Sequence, residues 1–302
     1  MSADNVQLLS EISTVPVICC QDLKQLAGVS EGFVICTPNH LHVSVAEEVL
    51  RYKQLPFVCE KPLSTDLNSA QYLQEIAPQG SIVSFNYRYN RVIDTMMRLR
   101  NKRDLGELHF FSAEFNKNSA LTRHHLTWRD SARQSKSSGA LGDLSCHLLD
   151  LFCFIGESPV VVDGIRTVKG TRVGAKSDGR VEVDDNGYVM GSSEKGAYFR
   201  IHASKSETGQ DLGCICSSCL KRVKSDIQLI MKTVCSWSCL MRRTRKPWAS
   251  TAKSVYPIHH GSFRSGLIRL FTFMTTGVPL LNMATQPEAG GSVIRPSYTG
   301  NN

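Results

Sequence analysis

With 302 residues, 41% of them hydrophobic and 21% charged, the chain is too apolar for a disordered polymer and too long for a disulfide-stapled miniature. Its net charge of +8 is a local feature, because Lys221–Lys246 holds eight basic residues against Asp226 and supplies +7 of it. A basic face for nucleic acid is therefore disfavoured, and a membrane span is excluded: the longest apolar stretch, Leu270–Met283, is interrupted by Thr, Gly and Pro and falls short of about 20 residues.

The opening MSADNVQLLSEIS lacks the apolar core of a secretory signal. Val15–Cys20 (VPVICC) reads as a strand and Asp22–Leu26 as the start of a helix ending near Gly28. Gly32–Thr37 (GFVICT) is a continuous apolar run, expected of a strand covered on both faces. Val45, Val49 and Tyr52 recur at helical spacing, Pro56–Cys59 is a short strand, and Ser64/Thr65 read as the cap of a helix carrying Leu67, Ala70, Leu73 and Ile76. Ser81–Phe85 closes the series. Strands alternating with helices of this length predict a parallel sheet of βαβ units. Cys20, Cys36 and Cys59, inside these strands, read as small buried hydrophobes in a reducing cytoplasm.

Ligands bind at the carboxyl ends of such strands. Three polar clusters follow them: Thr37-Pro38-Asn39-His40-Leu41-His42, Glu60-Lys61-Pro62-Leu63 and Asn86-Tyr87-Arg88-Tyr89-Asn90. Taken singly, TPN is as well explained as a strand-to-helix turn, and Lys61 as an ordinary rim lysine. Further on, GALGDLSCHLLDL places Asp143 and His147 four residues apart, on one face of a helix.

The four motifs, in this order and spacing, resemble the Gfo/Idh/MocA family of NAD(P)-dependent oxidoreductases, which includes glucose–fructose oxidoreductase and inositol dehydrogenase type enzymes. The resemblance is strong over Gly32–Gly156 and weaker over Val181–Ser206 and Leu270–Ser297. It implies that Lys61, Asp143 and His147 are the catalytic group. It implies a cofactor side made of Thr37, Pro38, Asn39, His42, Glu60 and Lys61, with NAD or NADP as cofactor. Arg88, Trp128, Arg129 and His147 then line the pocket of a carbohydrate substrate: a sugar, cyclitol or nucleotide-linked sugar. A His whose unperturbed pKa is about 6.5 suits removal of a hydroxyl proton, while Lys61 would polarise the oxygen. The rival account of Asp143 and His147 is a capping carboxylate and a core histidine; a metal site built from them with Asp150 is disfavoured.

Two departures stand out. No G-x-G-x-x-G precedes Thr37, so VPVICC is taken as the third strand, and the first strand, first helix and second strand are expected to be absent. Either the start is misplaced or truncated, or cofactor binding has been lost; truncation of an ancestral enzyme is the favoured account. Second, residues 209–255 carry Cys214, Cys216, Cys219, Cys235 and Cys239 among basic residues, readable as a zinc knuckle for nucleic acid or, preferably, as divergent sheet. The expected architecture is an incomplete Rossmann-type α/β domain over residues 1–88, followed by an α+β domain over 89–302. The latter's open, mainly antiparallel sheet would carry substrate and a homo-oligomer interface. The expected activity is hydride transfer between nicotinamide and a sugar hydroxyl; the alternative is a non-catalytic relative that binds a carbohydrate or partner subunit.

Overall fold

Asp22 opens the first helix, its carboxylate accepting the Gln25 N–H at 2.7 Å, and α1 runs over Leu23–Val29. The computed structural model describes residues 11, 13, 16–103, 106–132, 139–170, 174–208, 213–221 and 228–235, with 99–103 and the last two segments as backbone only. Strand β1 (Phe33–Ile35) is followed by a 3-10 turn at Asn39–Leu41 and helix α2 (His42–Tyr52). Then come β2 (Phe57–Cys59), α3 (Leu67–Ile76) and β3 (Ile82–Val83). The three strands pair in parallel in the order β1-β2-β3, as the alternation of periods predicts.

Their core joins Ala27, Phe33, Ile35, Ala46, Val49, Leu50, Phe57, Cys59 and Leu73. Each fully buried large side chain contributes about 1.5–3 kcal/mol. Three expectations are corrected here. Pro16–Cys20 forms no strand, and Ile18 is 69% exposed; an extended segment with no neighbouring strand has no ladder to join. Only one face of β1 is covered, Val34 being 72% exposed, because β1 lies at the edge of this sheet with its helices packed on one side. The cap of α3 is Asp66, which accepts from Ser69 N–H at 2.9 Å, rather than Ser64 or Thr65. Of the strand cysteines, Cys59 is buried and burial pushes its thiol up to about 12, whereas Cys36 is exposed and Cys20 half-buried.

After a 3-10 turn at Asn86–Tyr89, α4 (Arg91–Arg103) leads into a mixed sheet. Its strands are β4 (Leu108–Asn116), β5 (Val160–Val168), β8 (Asn186–Ser193), β9 (Tyr198–Ser204), β10 (Gly213–Lys221) and β11 (Gln228–Cys235), with β6 (Ala175–Lys176) and β7 (Gly179–Arg180) forming a separate ribbon. The order is β11-β10-β4-β9-β8-β5, antiparallel throughout except for the parallel pair β4/β9. Residues 209–255 thus contribute two backbone strands, with Cys214 opposite Cys235. The side chains of those cysteines, Cys239, and the 270–297 stretch lie outside the described residues.

The single-turn helix α5 (Ser119–Thr122) follows β4, and one face of this sheet packs on α6 (Cys146–Gly156) through Phe111, Phe115, Leu148, Phe152, Ile155, Phe199 and Ile201. The other face leaves Tyr188, Met190 and Tyr198 exposed, the period-2 alternation of a half-covered sheet. Among the described residues no helix is long and apolar enough to cross a membrane.

Candidate active site

The turn into α6 is a π-helical segment, Leu141–Ser145, a type of irregularity often found at functional sites. Asp184 builds its start: its carboxylate accepts the Leu141 N–H at 2.7 Å and its carbonyl accepts the Ala140 N–H at 2.8 Å. That carboxylate occupies the space beside Gly139, where an added Cβ would meet Asp184 Oδ1 at 2.0 Å. The first glycine of GALGD is thus required by a close approach. Asp143 therefore sits within a π turn, and its register with His147 is not the plain α-helical one expected from the spacing.

Lys61 follows β2 and crosses to this turn. Its ammonium donates to Asp143 Oδ1 at 2.6 Å and to the Asp143 carbonyl at 2.8 Å. The other carboxylate oxygen, Oδ2, receives Lys205 at 2.9 Å. Burial would raise Asp143, but Lys205 and Lys61 hold it well below the usual carboxylate range. Burial would likewise lower Lys61, and Cys146 and Asp143 reverse the sign, so it stays charged.

His147 is buried among Phe85, Tyr87 and Phe115, with ring centroids 6.2, 5.0 and 6.1 Å away, and its Nδ1 has no hydrogen-bond partner. Burial, reinforced by the charges of Lys61 and Lys117 against that of Asp143, depresses it to about 3. The imidazole is neutral at any ordinary pH. Lys61, Asp143 and His147 are thus brought into one electrostatic cluster.

The cofactor-side residues divide. His42 is buried, with Nδ1 2.8 Å from the Pro62 carbonyl and Nε2 2.9 Å from the Thr37 carbonyl. It ties the two loops together. Asn39 is buried beside it, and Pro38 precedes the 3-10 turn. Glu60 accepts the Lys61 N–H at 3.3 Å. Thr37 Oγ1 and His40 Nδ1, by contrast, are buried polar atoms without a partner at the carboxyl end of β1.

The substrate-side residues divide as well. Arg88 is expected to face substrate, but its guanidinium forks onto buried Asp150, with Nε 2.7 Å from Oδ2 and Nη2 on Oδ1, between Phe85 and Phe154. A bidentate pair at this position anchors α6. Burial pushes the Asp150 carboxyl up to about 6 against the pull of Arg88.

Trp128 and Arg129 begin a short 3-10 turn capped by Thr127; Arg129 stacks on Trp128 at 4.1 Å, and His40 meets the indole edge-on at 6.1 Å. The turn is pinned by buried Asp130, which receives Lys176 at 2.9 Å and Arg123 at 3.4 Å. His124 and His125 are exposed. Among the described residues no three His, Cys, Asp or Glu side chains converge as metal ligands.

Sequence reasoning missed Lys117 and Lys205. Both immediately follow strands, in Phe115-Asn116-Lys117 and Ala203-Ser204-Lys205. The signal available was the matching strand-polar-Lys ending of two apolar runs.

The comparisons match both parts of this arrangement, the parallel sheet and the mixed sheet with its helix, to known proteins. The model described as "Oxidoreductase family, NAD-binding Rossmann fold" matches residues 3–87, and the "GFO/IDH/MocA C-terminal domain" matches 93–216. The chain belongs to the Gfo/Idh/MocA family. It is 33% identical over 196 residues to glucose-6-phosphate 3-dehydrogenase of Bacillus subtilis (strain 168), covering 64% of this chain and 56% of that protein. It is 26% identical over 196 residues to levoglucosan dehydrogenase of Pseudarthrobacter phenanthrenivorans, covering 59% and 50%. The chain therefore spans about half the length of the curated relatives it matches. The solved structure of a levoglucosan dehydrogenase in complex with NADH and levoglucosan shares the fold, with a TM-score of 0.56 at 21% identity over 72% of this chain and 65% of that one.

Proposed function

We propose that the chain belongs to an NAD(P)-dependent dehydrogenase that oxidises a hydroxyl of a sugar or related carbohydrate. The observation that carries this is Lys61 bound to Asp143 beside a neutral, buried His147 whose Nδ1 is unengaged. The names of the two sugar-dehydrogenase relatives support the substrate class.

The orphaned Thr37 Oγ1 at the end of β1, together with Lys61, fits the nicotinamide side of such a cofactor. When bound, NAD(P) supplies an acceptor for hydride from the carbinol carbon. Lys61 donates to the reacting oxygen and stabilises its developing charge; Asp143 holds that ammonium in place. His147 receives the hydroxyl proton. Trp128 and Arg129 face the substrate, held by Asp130, while Arg88 and His42 support the two walls.

In this reading residues 1–88 form the cofactor side and 89–302 the substrate side. The exposed Tyr188, Met190 and Tyr198 serve self-association, and the chain works in the cytoplasm. The test is sugar-dependent reduction of NAD+ or NADP+ by the purified chain across a carbohydrate panel. Reduction abolished by Lys61→Met supports the reading; carbohydrate binding without reduction favours a non-catalytic binder instead.

A further inference from the structure

The ribbon β6–β7 and the residues that follow it, up to Asp185, grip the candidate site at two places. Lys176 is buried, and its ammonium donates to Asp130 Oδ1 at 2.9 Å and to the His125 carbonyl at 3.4 Å. Ser177 donates its N–H and its hydroxyl to the His124 carbonyl, at 3.1 and 2.9 Å. Asp178 accepts the Leu126 N–H at 2.8 Å. The Glu182 N–H donates to the Asp130 carbonyl at 2.9 Å, and its carboxylate accepts the Ser131 hydroxyl and the Ala132 N–H at 2.9 and 2.8 Å. All of these contacts fall on the loop that carries Trp128 and Arg129.

The second grip follows at once. Asp184 accepts the Ala140 and Leu141 N–H groups at 2.8 and 2.7 Å, where the π turn bearing Asp143 begins. The Asp185 carbonyl then accepts the N–H of Lys205, whose ammonium holds Asp143 Oδ2. Residues 123–132 contain one short 3-10 turn and no strand, so their backbone groups are paired by the ribbon instead of by a ladder. Desolvation consumes much of the attraction within a buried ion pair, so Lys176–Asp130 contributes less to stability than to where the two segments lie.

We propose that residues 176–185 form a positioning brace: Lys176 and Glu182 set the substrate-facing turn, and Asp184 sets the turn that carries Asp143. This deepens the dehydrogenase reading and rests on it for what Trp128 and Arg129 face. Lys176 acts through Asp130, and Asp184 acts through Leu141; both are positioning residues. The two grips have separable effects, since one governs the fit of the sugar and the other the placement of the Lys61–Asp143 pair.

The first readout needs neither sugar nor cofactor: acrylamide quenching of Trp128 fluorescence in the full chain carrying Trp237→Phe and Trp248→Phe, which leaves one indole. Lys176→Met is expected to raise the quenching constant about twofold or more, because the loop loses its buried anchor. Glu182→Ala, at an exposed position that tolerates truncation, is expected to do the same, while Glu182→Gln keeps an acceptor oxygen and the native value. The second readout is sugar-dependent NAD(P) reduction. Lys176→Met and Glu182→Ala are expected to raise KM for the sugar about tenfold with kcat within about twofold, and Glu182→Gln to restore KM. Asp184→Ala is expected to lower kcat about tenfold or more with KM little changed.

Quenching unchanged in both Lys176→Met and Glu182→Ala overturns the proposal. So does a loss of activity that tracks only the unfolded fraction at native KM, which reduces the segment to scaffold. The expected quenching changes in a chain that reduces no NAD(P) with any sugar instead remove the dehydrogenase reading and leave the brace.

Discussion

The ammonium of Lys61 lies 2.6 Å from Oδ1 of Asp143, a residue 82 positions further along the chain. One group closes a strand of the parallel sheet and the other sits in the π turn before α6, so the contact joins the two layers at the candidate site.

Removing either partner has unequal costs. Asp143→Asn leaves Lys61 and Lys205 facing each other without a carboxylate and is expected to destabilise by about 3 kcal/mol. Lys61→Met costs less, since Asp143 keeps Lys205. Both variants should reduce kcat by at least about 100-fold. Urea unfolding of the two checks the asymmetry; equal losses of stability would refute the shared-carboxylate geometry.

His147 should make the fold acid-sensitive. Its folded pKa of about 3 lies below the unfolded value near 6.5, so between those limits the unfolded chain binds the extra proton. Stability is then expected to rise with pH from about 3 to 6.5, each unit of depression being worth about 1.4 kcal/mol. Asp143, whose pKa is depressed, acts in the same sense at lower pH: its contribution is present above about 4 and lost as the carboxylate protonates. His147→Gln should flatten the upper part of this slope in unfolding curves measured across that range.

Gly139→Ala places a methyl group on the carboxylate that starts the π turn. A loss of about 1–3 kcal/mol is expected, with activity falling further than stability because Asp143 moves with the turn. Thermal unfolding together with kcat/KM checks both halves. An alanine variant as stable as the native chain would mean that Asp184 does not occupy this space.

Arg88→Lys keeps the charge but cannot fork onto Asp150. About 1–3 kcal/mol of stability should be lost with KM for the sugar little changed. Arg129→Met is expected to do the opposite, raising KM with little effect on unfolding. If Arg88→Lys instead raises KM at native stability, Arg88 contacts substrate after all.

The βαβ succession was legible because periods of two and 3.6 alternate cleanly from Phe33 to Val83, and the Lys61, Asp143 and His147 motifs fall at element ends. Lys117 and Lys205 were not legible, since a lysine after a strand is usually solvated and only register shows that these two adjoin. The pairing of Arg88 was not legible for the complementary reason. Its partner, Asp150, lies 62 residues away on α6, and nothing local marks it as buried. The VPVICC run shows the remaining gap: apolar, β-branched residues make a strand only where another strand offers hydrogen bonds.

Because β4 and β9 run in the same direction, the polypeptide between them must travel back over the sheet before entering β9. That return path carries Trp128, Asp143 and His147, and it brings them above the strand ends that display Lys117 and Lys205. Topology alone thus brings Asp143 and His147 to the end of the sheet where Lys117 and Lys205 stand. Changes of loop length within that excursion, between residue 117 and Gly139, can alter the surroundings of these residues while the strands beneath keep their pairing.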